Sequence, residues 1–116
     1  MKVAQLVEWF GLEVKAGAAG RDREVRGGYC GDLLSDVMAN APSGCIWLTV
    51  QGHMNIVAVA LLREMAAIVI TGDRDPDPDA VERAEQEGIP LLKWRRSSYE
   101  LAGELYAMEV GSPPPG

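Results

Sequence analysis

A handful of polar residues in this chain stand where chemistry is commonly done. The only histidine, His53, follows the apolar run Cys45-Ile46-Trp47-Leu48-Thr49-Val50. Four aspartates, Asp73, Asp75, Asp77 and Asp79, alternate with Arg74, Pro76 and Pro78. Two arginines, Arg95 and Arg96, precede Ser97 and Ser98. Each group suggests a chemistry. A histidine titrates near neutral pH and serves as an acid, a base or a ligand. Spaced carboxylates hold hard cations. Arginine beside hydroxyls binds phosphate or carboxylate.

Spacing narrows these possibilities. His53 has no second histidine, and no nucleophile–base pattern accompanies it, so it reads as a hydrogen-bonding loop residue before it reads as a catalyst. The aspartates lack the Gly and terminal Glu of a calcium loop, so a turn leading into a helix N-cap accounts for them and no metal is expected. Gly27-Gly28 and Gly31 precede a helix, but the spacing fits neither GxGxxG nor GxxxxGK[ST], and the chain has no Lys-Ser or Lys-Thr pair. No nucleotide-hydrolysis machinery, catalytic residue or cofactor is therefore assigned. Cys30 and Cys45 form neither a CxxC motif nor a disulfide framework and read as two packed, reduced thiols.

The elements that must position these residues follow from hydrophobic periodicity. Val3, Leu6, Val7 and Phe10 mark one face of a helix that Gly11 stops. Residues 12–16 alternate as a strand. A Gly-rich turn and Glu24-Val25-Arg26 follow, which predicts an antiparallel hairpin. Asp32 is expected to cap a helix through Met38. Residues 45–50 and 67–71 are apolar runs of strand length, as in strands covered on both faces. Residues 55–66 are apolar nearly all round and predict a buried helix. A helix from Asp77 or Asp79 to Gly88, a strand over 89–94 and a helix capped by Ser97 or Ser98 complete the series. Glu100 stands three residues after Ser97, as in a capping box.

From residue 45 onward strand and helix alternate. The expected fold is therefore α/β, a mainly parallel sheet flanked by helices, with the N-terminal β-hairpin extending it. One domain over 1–110 and a Pro-rich flexible tail over 111–116 are expected. In such a sheet ligands sit outside the carboxyl ends of the strands, where helix N-termini meet. The loops there carry Gln51, Gly52 and His53, then Thr71, Gly72 and Asp73, then Ser97 and Ser98. These eight are the candidate ligand-binding residues. Backbone N–H groups and hydroxyls would hold an anion, and Asp73 would read a polar group.

Composition bounds the partners. The 116 residues carry Asp+Glu 17 against Lys+Arg 11, a net charge of -6. An acidic balance argues against nucleic acid and against anionic lipid as partners. No run approaches the ~20 apolar residues of a membrane span, and no signal peptide is read at the start. A cytoplasmic location is expected.

Three stretches carry a resemblance. Thr71-Gly72-Asp73 with Pro76-Asp77-Pro78, Ala84 with Gly88-Ile89-Pro90-Leu91-Leu92, and Ser98-Tyr99-Glu100-Leu101-Ala102 resemble the DRTGG domain. The strand of that family usually ends Thr-Gly-Gly, where Asp73 stands here. Its upstream Gly-Asp-Arg corresponds to Gly52-His53-Met54. Leu6-Val7 with Phe10 to Val14, and Gly17 with Gly20 and Asp22 to Val25, look like the N-terminal domain of bacterial HPr kinase/phosphorylase. The resemblance covers about residues 2–110. It implies the N-terminal domain topology shared by MurF and HPr kinase, without the kinase's catalytic half. The function it implies is a non-catalytic regulatory or sensory module. Such a module would bind a small anionic ligand or nucleotide, or a regulatory partner protein, and would form a homo-oligomer. A dimerisation domain without ligand is the alternative. A small transferase or hydrolase using His53 and Asp73 is the third reading.

Overall fold

The computed structural model describes residues 1–108. The end of the expected domain and the Pro-rich tail, 111–116, lie outside the described residues. The elements are α1 (Val3–Phe10), β1 (Glu13–Ala16), a 3-10 turn (Ala18–Gly20), β2 (Gly27–Cys30), α2 (Leu34–Asn40), β3 (Cys45–Thr49), α3 (Asn55–Leu62), β4 (Ala67–Ile70), α4 (Pro78–Glu87), β5 (Leu91–Lys93) and α5 (Ser98–Ala107). One five-stranded sheet has the order β1-β5-β4-β3-β2. β2, β3, β4 and β5 pair in parallel, and β1 runs antiparallel to β5.

Every residue of β3 and β4 is buried, because helices cover the sheet on both sides. Side chains of a strand alternate between faces. Trp47, Ile68, Ile70 and Leu91 accordingly meet α2, α3 and α4 through Val37, Ile56, Val57, Ala60, Ala80 and Ala84. Ile46, Leu48, Val69 and Leu92 meet α1 and α5 through Val3, Leu6, Leu101 and Leu105. Burying a leucine such as Leu101 contributes about 1.5–3 kcal/mol. α3 packs between α2 and α4 as well as on the sheet, which explains why it is apolar on more of its circumference than α1, whose apolar residues form a single stripe.

The expected hairpin does not form. β1 and β2 lie on opposite edges of the sheet. Glu24 makes only an isolated antiparallel bridge to Lys2, and the strand proper is Gly27–Cys30, paired with Cys45–Leu48. The physical reason lies in the linker. Residues 17–26 run across the amino ends of the central strands instead of turning back. At Gly17, with φ +75°, a Cβ would stand 1.8 Å from the Ile89 carbonyl oxygen. The Arg23 guanidinium donates to the carbonyls of Gly88 (3.3 Å) and Met65 (3.5 Å). The Arg26 N–H donates to the Gly44 carbonyl at 2.9 Å. These long-range contacts compete with, and replace, the local hairpin that alternation suggested.

Two smaller expectations are corrected. The N-cap of α2 is Leu33, not Asp32, whose carboxylate is drawn to β3 instead. Cys45 is buried as expected, but Cys30 ends edge strand β2 and is exposed.

Candidate functional site at the carboxyl edge of the sheet

Parallel pairing gathers the ends of β2, β3, β4 and β5 on one edge, so the three expected loops do converge there. Helices leave that edge in two directions. The connections after β3 and β4 pass to α3 and α4 on one face. The connection after β5 passes to α5 on the other. Adjacent strands whose connections part in this way open a crevice, the usual ligand position of an α/β sheet. Here the parting falls between β4 and β5, at Thr71-Gly72-Asp73 and Trp94 to Ser98.

That gap is fastened. The Gly72 N–H donates to the Arg96 carbonyl at 2.7 Å, and the Asp73 N–H to the Trp94 carbonyl at 3.1 Å. The buried Thr71 hydroxyl lies 2.5 Å from that of Ser98. Arg74 folds back to donate to the Thr71 carbonyl at 3.0 Å. Two N–H groups expected to hold an anion are therefore satisfied within the fold. Gly72 (φ +78°) and Asp73 (φ +60°) both have left-handed backbone. Glycine adopts that region freely and aspartate tolerates it, which is the conformational reason for a Gly-Gly pair at this turn.

The β3 loop is tied as well. Asp32, which the helix-cap reading misassigned, accepts from the Thr49 hydroxyl at 2.9 Å and the Val50 N–H at 2.8 Å. Gln51 reaches the Asp32 carbonyl through its side-chain amide at 3.2 Å. The Gly52 carbonyl accepts from the Asp77 N–H at 2.8 Å, which packs this loop against the entry to α4. His53 is half-buried, and its side chain makes no hydrogen bond to a described residue. Ser97 caps α5 by accepting from the Glu100 N–H at 3.2 Å, as the capping-box spacing predicted.

The aspartate loop is electrostatically engaged. Lys93 meets Asp75 at 2.8 Å and Asp73 at 3.5 Å, and Lys15 meets Asp75 at 3.4 Å. The hydrogen bond from Lys93, and then that from Lys15, holds the Asp75 carboxyl below the usual aspartate value. Asp73 thus faces a lysine of the fold, a partner that sequence spacing could not show.

Beside the fastened gap lies an open groove of about 430 Å³, lined by Trp9, Phe10, Gly11, Glu13, Lys93, Trp94, Arg95, Arg96 and Glu104. Phe10 packs edge-on against Trp94, with ring centroids 6.4 Å apart at 88°. The Arg96 guanidinium lies 6.0 Å from the Trp94 ring centroid and 3.5 Å from Glu100. Arg95 makes no ion pair with a described residue. Trp9 is 55% exposed. The sequence reading marks Arg95 and Arg96 as anion holders and does not include Trp9 among the candidate site residues. A signal was present, since Trp9 falls outside the Val3-Leu6-Val7-Phe10 stripe.

The model of the DRTGG domain matches residues 6–108. The chain belongs to the DRTGG domain family. Among solved structures, this DRTGG domain is similar to the CBS and DRTGG domains of the regulatory region of Clostridium perfringens pyrophosphatase, complexed with the activator diadenosine tetraphosphate. The TM-score is 0.68 at 15% identity, and the match covers 95% of this chain and 47% of that one. The chain therefore spans about half the length of the structure it resembles, and the likeness is one of fold. Comparison with curated proteins gives no match. No helix among the described residues is long and apolar enough to cross a membrane.

Proposed function

We propose that this DRTGG domain, over residues 1–110, is a non-catalytic regulatory module that binds a small anionic ligand at the carboxyl edge of its sheet. One observation carries the reading. Beside the point where the connections of β4 and β5 part, between the α1–β1 turn and the end of β5, a groove of ligand size is lined by Arg95 and Arg96. Pockets for small molecules typically measure ~300–1,000 Å³. The C. perfringens region, which is a regulatory region complexed with a nucleotide activator, supports the regulatory reading and the nucleotide class. Thr71, Gly72, Asp73, Ser97 and Ser98 hold the two walls of the gap in register. Gln51, Gly52 and His53 extend the same edge toward β3. Isothermal calorimetry with inorganic phosphate, acyl phosphates and nucleotides tests the proposal. Saturable heat with at least one anion is expected, and no heat with any of them overturns it.

A second reading, self-association or docking of a regulatory protein, rests on a different observation. Tyr99 and Tyr106 project from α5 at 85% and 71% exposure, with Ala102 and Gly103 between them. Aromatic side chains on a small-residue background make good interface anchors. Light scattering after size exclusion tests it. A molar mass of one chain at all concentrations overturns self-association.

A further inference from the structure

The groove at the end of β5 holds more than positive charge, and its aromatic wall narrows the ligand class. Trp9 leaves the buried stripe of α1 and stands 55% exposed at the groove. Its neighbour Phe10 is fixed edge-on by Trp94, whose own indole N–H donates to the Ser97 carbonyl at 3.1 Å. The wall beside Trp9 is therefore rigid.

The cations are not equivalent. Lys93 is committed to Asp75 and Asp73. Arg96 is shared between Glu100 and the Trp94 ring. Arg95 makes no ion pair with a described residue, and an exposed guanidinium is suited to two-pronged contact with phosphate. Glu104 also lines the groove, as does Glu13, which is paired with Lys15 at 3.4 Å. Their charge disfavours a polyanion, and their oxygens can accept from hydroxyl or amino groups of a ligand. One uncommitted cation, one exposed indole and two acceptors suit a ligand with a single phosphate, a planar ring and several donors.

We infer that the groove between Trp9 and Arg95 is a mononucleotide site, with the base stacked on the Trp9 indole and the phosphate held by Arg95. The inference rests on the regulatory, anion-binding reading above and assigns that ligand its class and contacts. Stacking on an exposed tryptophan is tolerant of base identity, so a preference among bases falls to Glu13 and Glu104.

Titration of the full chain with AMP, adenosine and inorganic phosphate tests this, read by calorimetry and by tryptophan fluorescence. AMP is expected to bind saturably and to quench the fluorescence. Adenosine or phosphate alone is expected to bind at least about tenfold more weakly, since each keeps only one of the two contacts. Trp9→Ala and Arg95→Gln alter exposed positions and are each expected to weaken AMP about tenfold or more, with circular dichroism unchanged. AMP affinity unmoved by both variants overturns the groove assignment while leaving the anion-binding reading intact. Binding of phosphate or acyl phosphate without any binding of AMP likewise overturns the mononucleotide class alone. No heat with any anion overturns both.

Discussion

The Thr71 hydroxyl lies 2.5 Å from the Ser98 hydroxyl, joining the end of β4 to the first turn of α5. Thr71 is completely buried, so its hydroxyl relies on this partner and on a longer contact to the Thr49 carbonyl at 3.5 Å. Thr71→Val keeps the shape and leaves Ser98 unpartnered there. A loss of about 1–2 kcal/mol is expected in urea unfolding. Combined with Ser98→Ala, the pair should show a coupling of at least about 0.5 kcal/mol. Strictly additive losses would mean that the two hydroxyls do not act together.

Asp73 tests the backbone reason for the family's second glycine. Its φ is +60°, and its side chain contributes only an exposed 3.5 Å pair with Lys93. Asp73→Gly relieves the left-handed conformation but frees the unfolded chain, so stability should change by no more than about 0.5–1 kcal/mol. Asp73→Val places a β-branched side chain in the same region and should cost about 1–2 kcal/mol. Equal effects of the two substitutions in a denaturant midpoint would refute this account.

Asp75 and Lys93 give the molecule a pH signature. The Asp75 carboxyl is lowered first by the hydrogen bond from Lys93 and then by that from Lys15. Its contribution is present above the unfolded pKa and is lost as pH falls through the folded one. Lys93 is raised, first by its hydrogen bond to Asp75. Its contribution is present below the unfolded pKa and is lost as pH rises through the folded one. Asp75→Asn should therefore flatten the stability profile at both its acid and alkaline ends. Added salt should weaken the parent more than the variant. Identical profiles for the two proteins would show the pairs to be without effect.

The two thiols should separate chemically. Cys45 is fully buried, and burial pushes its thiol up to about 11. Cys30 is exposed, yet partial burial of its sulfur raises it, with Asp32 adding to the rise and a hydrogen bond with Ser98 opposing it. A thiol reagent should label one cysteine in the native protein, more slowly than it labels a small-molecule thiol. The second should react only in denaturant, and Cys30→Ser should abolish the native reaction. Two fast-reacting thiols in the folded state would contradict the burial of Cys45.

The sheet's centre was readable because burial on both faces writes itself into composition. Residues 45–48 and 67–70 are apolar without interruption, and the mostly apolar α3 lies between α2 and α4 on its face of the sheet. Helix ends were readable where the signal is local, as with Gly11, Gly88 and Ser97. Strand β2 was not. Gly27 and Gly28 read as a break, and only pairing with Cys45 and Ile46 makes them a strand. The convergence of the three loops followed from parallel topology. Their fastening did not, since Gly72 to Arg96 and Asp73 to Trp94 are contacts between distant segments. Trp9 showed its exposure through periodicity, but the groove beside it depends on where β1 and β5 meet.

The linker over residues 17–26 has a mechanical consequence. It spans from β1 to β2, four strand spacings or roughly 19 Å, and lies across the starts of β5, β4 and β3. One rim of the sheet is thus bound by a continuous covalent girth, while the opposite rim is held only by hydroxyls, carbonyls and ion pairs that can exchange. A backbone strap of this kind leaves fewer ways for the strand starts to part than for the strand ends. The groove proposed for the ligand opens on the rim that has no such strap.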